Sequence, residues 1–249
     1  MNPRVSVIIP TYRNNRTLED SVRSALSQTV ADIEVIVVHV CPGGESETIL
    51  GDIAKEDPRL RIFDINENIG VAGARNRGVQ DAKGERIAFL DSDDLWEPDK
   101  LSRQMEAAGI TGAAFVYTAA ACIDGAGSPT GKIFSVPASV SAKKLLYGND
   151  IITSTVLVNR DVLLRHPMER SDLHEDFICW YRILSDGERA VGINEPLARY
   201  RISEGSKSGN KRKSAVMTWK TYKYLGVGFF RRILCFAGYC VHGVKRYWL

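Results

Sequence analysis

After Glu204 the chain has no acidic residue: positions 205–249 carry ten Lys or Arg and no Asp or Glu. The whole chain has 33 basic and 30 acidic groups, so the first 204 residues hold 23 and 30, a net of −7. An acidic body with a basic tail points the tail at an anionic partner such as lipid or phosphate. No nucleic-acid motif accompanies the tail, so nucleic acid is not an expected partner. No apolar run reaches spanning length, which excludes a simple transmembrane helix. Cysteine is scarce and odd in number, five in all with no C-x-x-C spacing. That excludes a disulfide frame or a Cys-based zinc site and reads as the reduced thiols of a cytosolic protein. The dinucleotide fingerprint G-x-G-x-x-G is missing; the glycines between Asn68 and Gly78 have other spacings and follow the third strand, not the first. That argues against a nicotinamide oxidoreductase. Met1-Asn2-Pro3-Arg4 leads straight into a strand, so no secretory leader is expected.

What is present alternates. Val5–Ile9, Ile33–Val38, Leu60–Ile65 and Ile87–Leu90 are short apolar runs of strand length. Between them lie helical patterns: one after Thr17, read as an N-cap, one around 46–54, and one entered from the Asn68–Gly78 turn. Strand–helix alternation implies an α/β fold with a mixed, mostly parallel sheet and right-handed crossovers. Further on, a helix is expected over 98–108, a strand over 113–123 and a tight turn at Asp124–Gly127 that closes a hairpin. A helix over 141–147, a strand over 151–159 and a helix over 172–184 follow. Two extended pieces, 190–193 and 197–201, and a mobile basic loop, 203–214, precede the tail. The expected organisation is one domain over 1–214 and a helical tail over 215–249.

Three stretches carry candidate chemistry. Asp91-Ser92-Asp93-Asp94 puts carboxylates at the C-terminal edge of a buried strand, where open α/β sheets bind ligands. Asp91 and Asp93 could share a hard cation, Mg²⁺ or Mn²⁺, with substrate phosphates completing its shell. The structural alternative is an Asx turn with Asp94 capping the next helix. His174-Glu175-Asp176 opens a helix. Either acid there complements the helix dipole or serves as a general base toward a hydroxyl. Trp180, one turn beyond Asp176, stacks on a sugar or packs in the core. The third stretch, Asn68 to Gly78, places backbone amides and Arg75 at a helix start, where an anion would bind; Arg75 pairs with a diphosphate or orients a carboxylate.

Taken in order, Val7-Ile8-Ile9-Pro10-Thr11-Tyr12, Asn68-Ile69-Gly70 with Ala74-Arg75-Asn76-Arg77-Gly78, Phe89-Leu90-Asp91-Ser92-Asp93-Asp94 and His174-Glu175-Asp176 resemble the inverting family 2 glycosyltransferases of GT-A fold. The resemblance covers about residues 3–203. Its C-terminal half looks most like bacterial enzymes of surface polysaccharide assembly, including the teichuronic acid type. The resemblance implies a Rossmann-like nucleotide-binding half, a nucleotide-sugar donor (a UDP-sugar being favoured) and a divalent metal. It assigns Asp93 to the metal as part of a DxD motif and Asp91 to the ribose or the metal shell. Pro10, Thr11, Tyr12, Asn14, Ser92 and Arg75 fall along the donor. Asp176 becomes the base, with Glu175 as the alternative or support. Trp180, Ser203, Ser206, Lys207 and Lys211 fall on the acceptor or lid side. Two departures stand out. The family's acidic turn after the second strand is here His39-Val40-Cys41-Pro42-Gly43-Gly44-Glu45, so His39 or Glu45 would have to hold the nucleotide base. Ser203 stands where related enzymes often have histidine. The rival expectation is a catalytically degenerate scaffold of the same fold that binds nucleotide or glycan.

In the tail, Phe229, Phe230, Ile233, Leu234, Phe236 and Val241 form an apolar stretch flanked by Arg231, Arg232, Lys245 and Arg246. It is too short to span and fits an interfacial helix with basic anchors on an anionic membrane, or a helix packed on the body. The expected location is cytoplasmic, peripheral at the inner face of the cell membrane, near a lipid-linked or oligosaccharide acceptor.

Overall fold

The structure, a computed structural model, describes residues 3–13, 16–202 and 211–248. Its centre is a parallel set: β1 (Val5–Tyr12) lies between β2 (Ile33–Val40) and β4 (Arg86–Phe89), and β3 (Leu60–Ile65) flanks β2. β1, β2 and β4 are buried on both faces, while β3, at the edge, is only partly covered. Val7 and Ile9 point to a layer with Leu18 and Val22 of α1 (Leu18–Leu26) and Leu50 of α2 (Glu45–Glu56). Ile8, one residue out of phase, packs with Ala72 and Val79 of α3 (Gly70–Asp81). Strands covered by helices on both sides read as continuous apolar runs, which is why they were visible in the sequence.

The second half extends the sheet. After β5 (Leu95–Trp96) and α4 (Lys100–Thr111) come β6 (Phe115–Ile123) and the hairpin strand β7 (Pro129–Phe134). Asp124 closes that hairpin by accepting from the amides of Ala126 and Ser128, both at 2.9 Å. β8 (Ser139–Val140) and α5 (Ala142–Leu145) lead to a 3₁₀ turn, Thr153–Thr155, then β9 (Leu157–Asn159) and α6 (Arg160–Arg165). Last in the body are α7 (Glu175–Ser185) and β10 (Ala190–Arg201), then α8 (Lys211–Tyr224) and α9 (Phe229–Trp248). The main path of the sheet is β3-β2-β1-β4-β9-β6-β10-β5, with β9 antiparallel to both its neighbours. β1 is the switch point: the chain winds to one side through β2 and β3, then returns to β4 on the other. A crevice opens there at the C-terminal strand ends.

Several expectations change. The strand foreseen over 151–159 is shortened to 157–159, because Thr153-Ser154-Thr155 turn inward as a 3₁₀ turn. The two extended pieces near 190–201 are one strand, whose register against β6 shifts around Pro196, a residue that cannot donate to the ladder. Residues 211–214 of the expected mobile loop are the first turn of α8. Thr17 does not cap α1 with its side chain; its hydroxyl donates to the Ser92 carbonyl at 2.8 Å.

The tail helices dock on the body. The Tyr222 hydroxyl donates to the Leu146 carbonyl at 2.6 Å. His242 Nε2 lies 2.7 Å from Asp150 Oδ1, and Arg246 donates to the same carboxylate at 3.0 Å. Gly148 permits this contact, since a Cβ there would sit 2.3 Å from the His242 ring.

Candidate active site

The ends of β1 and β4, the starts of α3 and α7 and the tail helices enclose a cavity of about 900 Å³. Pro10, Thr11, Tyr12, Arg75, Asp91, Ser92, Asp93, Glu175 and Asp176 all stand in its wall. Residues up to 166 positions apart are thus brought to one place by the sheet order. Three expected residues are not: Glu45, which opens α2, Trp180 and His39. Trp180 is fully buried, packed against Phe115 at 4.9 Å and Phe89 at 6.4 Å between ring centres. It is a core residue because its turn of α7 faces the sheet, so it is withdrawn from the acceptor side. His39 is also fully buried and outside the wall. Its Nε2 lies 3.2 Å from the Arg13 carbonyl and its Nδ1 3.4 Å from an Asp64 carboxylate oxygen. Alternation along β2 turns His39 away and leaves Val40 in the wall. Asn14, Ser203, Ser206 and Lys207 lie outside the described residues, and Lys211 opens α8.

Arg75 is the electrostatic centre. Its guanidinium is buried and pairs with Asp91 Oδ1 at 2.6 Å and Glu175 Oε1 at 3.1 Å. Burial alone would lower this guanidinium; Asp91 and then Glu175 overcome that and hold it above its ordinary value. In the structure Arg75 pairs with these two carboxylates. The amide of Ala72 in the first turn of α3 is already taken by the Ser171 hydroxyl at 3.1 Å. Gly70 has φ +68°, and a Cβ there would sit 2.5 Å from that hydroxyl, so glycine is required at this turn.

The acidic turn divides its labour. Asp94 is buried and caps no helix. Its carboxylate accepts from Ser154 Oγ at 2.6 Å and from the Arg201 amide at 2.8 Å, which fastens the end of β4 to the 3₁₀ turn and to β10. Burial, then Asp93 and Asp91, push Asp94 well above the usual carboxylate range. The Arg201 guanidinium holds the Asp93 carbonyl at 2.7 Å and reaches the hairpin at Gly125 at 3.1 Å. The Asp93 carboxyl is pushed up to about 6, by burial first and by Asp91 next.

At the opposite wall, Asp176 is half-buried and turned to the cavity. The Thr153 hydroxyl donates to Oδ2 at 3.1 Å and the Phe177 amide to Oδ1 at 2.7 Å, fixing its direction. Thr153, Ser154 and Arg201 were not foreseen as site residues. A hydroxyl-rich Thr-Ser-Thr inside an otherwise apolar run was the available signal for the first two; Arg201 had none.

Residues 6–160 match Glycosyl transferase family 2. The chain belongs to this family. As a family 2 glycosyltransferase it is similar over nearly its whole length to proteins of like size. A putative teichuronic acid biosynthesis glycosyltransferase, TuaG of Bacillus subtilis, is 35% identical over 245 residues, 98% of this chain and 97% of that one. The Escherichia coli protein WfaP, a UDP-Glc:α-D-GlcNAc-diphosphoundecaprenol β-1,3-glucosyltransferase, is 33% identical over 243 residues, 98% and 95% of the two chains. Among solved structures, residues 1–349 of S. aureus TarS with UDP-GlcNAc superimpose with a TM-score of 0.74 at 16% identity, covering 97% of this glycosyltransferase and 73% of that chain. The mannosyltransferase PcManGT of Pyrobaculum calidifontis, with GDP-Man and Mn²⁺, gives 0.69 at 19% identity, covering 96% and 70%. These likenesses carry the fold, and it is the GT-A fold expected from the sequence.

The wall fits a divalent cation of the hard, oxygen-binding kind. Among the described residues no cluster of three or more His, Cys, Asp or Glu forms a ready-made cage. A half-buried aspartate that resists ionisation beside a second aspartate is what a cation held by one or two carboxylates and substrate phosphates would relieve. The sign for stability follows. Folded Asp93 binds its proton more tightly than the unfolded chain, so its contribution to stability is lost as pH rises from about 4 towards about 6. Metal-free Asp93→Asn is therefore expected to be more stable than the parent at pH 7.5, by about 1–2 kcal/mol after discounting partial exposure, and no more stable at pH 4. Urea melts at both pH values check this.

Proposed function

We propose that this glycosyltransferase moves a sugar, with inversion, from a nucleoside-diphosphate sugar to a hydroxyl of a lipid-linked or growing glycan in bacterial surface polysaccharide assembly. A UDP-sugar is the favoured donor. The observation that carries the reading is the division of the two acids at the start of α7: Arg75 sequesters Glu175, and Asp176 is left turned to the cavity shared with Asp91 and Asp93. Support for the donor comes from the UDP-Glc in the name of WfaP and the UDP-GlcNAc bound to TarS. The diphosphoundecaprenol in the name of WfaP supports a lipid-linked acceptor, and the name of TuaG supports the polysaccharide setting.

In this reading the nucleoside lies along Pro10–Tyr12. Thr11 stands in the wall along this stretch. Val40 offers the base only apolar contact, so pairing falls to other groups of the wall. Asp93, with Asp91 in support, would hold Mg²⁺ or Mn²⁺, which supplies charge compensation for the leaving diphosphate. Arg75 keeps Asp91 aligned. Asp176 takes the proton of the acceptor hydroxyl as its oxygen attacks the anomeric carbon from the face opposite the diphosphate, through an oxocarbenium-like transition state. The test is a panel of UDP-, dTDP- and GDP-sugars with Mn²⁺, scored by released nucleoside diphosphate and by nuclear magnetic resonance of the new linkage. A β-linkage from an α-linked donor is expected; retention of configuration would overturn the mechanism.

The reading also places the protein at the inner face of the cell membrane. Among the described residues no helix is long and apolar enough to cross one. The supporting feature is the exposed apolar face of α9, with Phe230 82% exposed and Leu234 62%, beside exposed Arg231 and Lys245. Basic groups near an anionic leaflet contribute roughly 1 kcal/mol each. The intact protein is expected to float with phosphatidylglycerol vesicles at low salt and to be released by high salt. Failure to float at low salt would remove the membrane from the account.

A further inference from the structure

We infer that the edge of α9 formed by Cys240 and Val244 is the doorway through which the hydrocarbon chain of a prenyl-diphosphate acceptor lies as its sugar reaches Asp176. This deepens the reading above and rests on its lipid-linked acceptor. α9 has two faces. The inward one is fixed: Cys235 is buried, Tyr239 meets the Ser214 hydroxyl at 3.0 Å, and His242 and Arg246 hold Asp150. The outward one is apolar from end to end. Phe230, Ile233, Leu234, Val241 and Val244 recur at helical spacing and are each 46% exposed or more. Phe230 to Val244 spans about 21 Å. Cys240 and Val244 are both exposed and part of the cavity wall.

The apolar surface is therefore continuous from the outside of the helix into the cavity. The wall is carboxylate-bearing at the β4 and α7 ends. Where β7, β10 and α9 meet it turns aromatic, with Phe134 and Tyr200 at 5.9 Å and the Arg246 guanidinium over Phe134 at 4.6 Å. A ligand that fits this gradient has a polar head for the acids, a diphosphate and a long apolar tail. Arg246 is already committed to Asp150, so it holds the wall in place and leaves Lys245, exposed and next in sequence to Val244, for the diphosphate. No tail residue opposes that charge, since positions 205–249 contain no acid. A helix face that only lay on a membrane would not need its apolar surface to turn into the active-site cavity.

Cys240 serves as the reporter. It is exposed, Cys41 is intermediate, and Cys122, Cys179 and Cys235 are buried. The intact protein is alkylated with N-ethylmaleimide, and each cysteine is followed by peptide mass. Farnesyl diphosphate is expected to slow Cys240 at least fivefold while Cys41 is unchanged, and inorganic diphosphate to leave both unchanged. Val241→Glu, on the exposed face and folded as judged by circular dichroism, is expected to abolish the protection. No protection by farnesyl diphosphate, or equal protection by inorganic diphosphate, would overturn the inference. Thermal stabilisation by UDP-sugar and Mn²⁺ is read in parallel. If it persists while Cys240 stays unprotected, the doorway fails and the transferase stands; if Cys240 is protected and no donor binds, the transferase reading fails instead.

Discussion

Asp176→Asn is expected to lower kcat about a thousandfold while the donor still binds. Removing a general base typically costs 10²–10⁴-fold. Glu175, the nearest alternative, is buried and paired with Arg75 at 3.1 Å. The amide in Asp176→Asn keeps the size of the side chain: its oxygen can accept from the Phe177 amide while its NH2 donates to the Thr153 hydroxyl, so the cavity should hold its shape. Glu175→Gln should behave differently: it removes one of the two charges facing Arg75, lowers stability and reduces kcat by a smaller factor. Steady-state kinetics of both variants, with donor affinity measured separately, decides the matter. If Glu175→Gln is the inactive one and Asp176→Asn turns over, the two acids exchange roles.

Arg75→Met is expected to be the most destabilising single change in the site. It removes the cation that pairs with both Asp91 and Glu175, and Glu175 is almost fully enclosed. Leaving a buried charge without its partner costs about 3–5 kcal/mol. In a domain of this size that amounts to a Tm lower by about 10 °C. The double change Arg75→Met with Glu175→Gln should recover part of the loss, because the stranded charge goes too. A double variant no more stable than Arg75→Met alone would mean that the pair with Glu175 contributes little, and that Arg75 acts through Asp91. Activity should fall in either case, because Asp91 loses the contact that fixes its direction.

The parallel half of the fold was legible because β1, β2 and β4 are buried on both faces and therefore appear as mainly apolar runs. Asp91 and Asp93 could be placed at a strand end for the same reason: Ile87–Leu90 ends abruptly in carboxylates. The antiparallel half was harder. Thr153-Ser154-Thr155 has the composition of a strand but is drawn inward by the hydrogen bonds of Ser154 to Asp94 and of Thr153 to Asp176, partners far away in sequence. His39 was misplaced, and Trp180 was left between sugar and core, through the same gap in local reasoning. A strand or helix pattern shows that a side chain alternates; it does not show which face meets the cavity and which the core. Asp94 looked like a cap because it precedes a helix, and only the approach of Arg201, 107 residues away, reveals the carboxylate as a clamp. The tail was read correctly as helical and basic. Its docking through His242 and Arg246 on Asp150 depends on a pairing 92 and 96 residues distant, which spacing does not encode.

The most direct test of the central claim is thermal denaturation of the intact protein with a UDP-sugar, with and without Mn²⁺, alongside Asp93→Ala. The expected result is a rise in Tm that needs both the donor and the metal and is absent in Asp93→Ala. A rise that survives chelation and the loss of the Asp93 carboxylate would contradict the metal-assisted site. No rise with any donor would leave a GT-A fold that binds no nucleotide sugar, and the account of this cavity would be wrong.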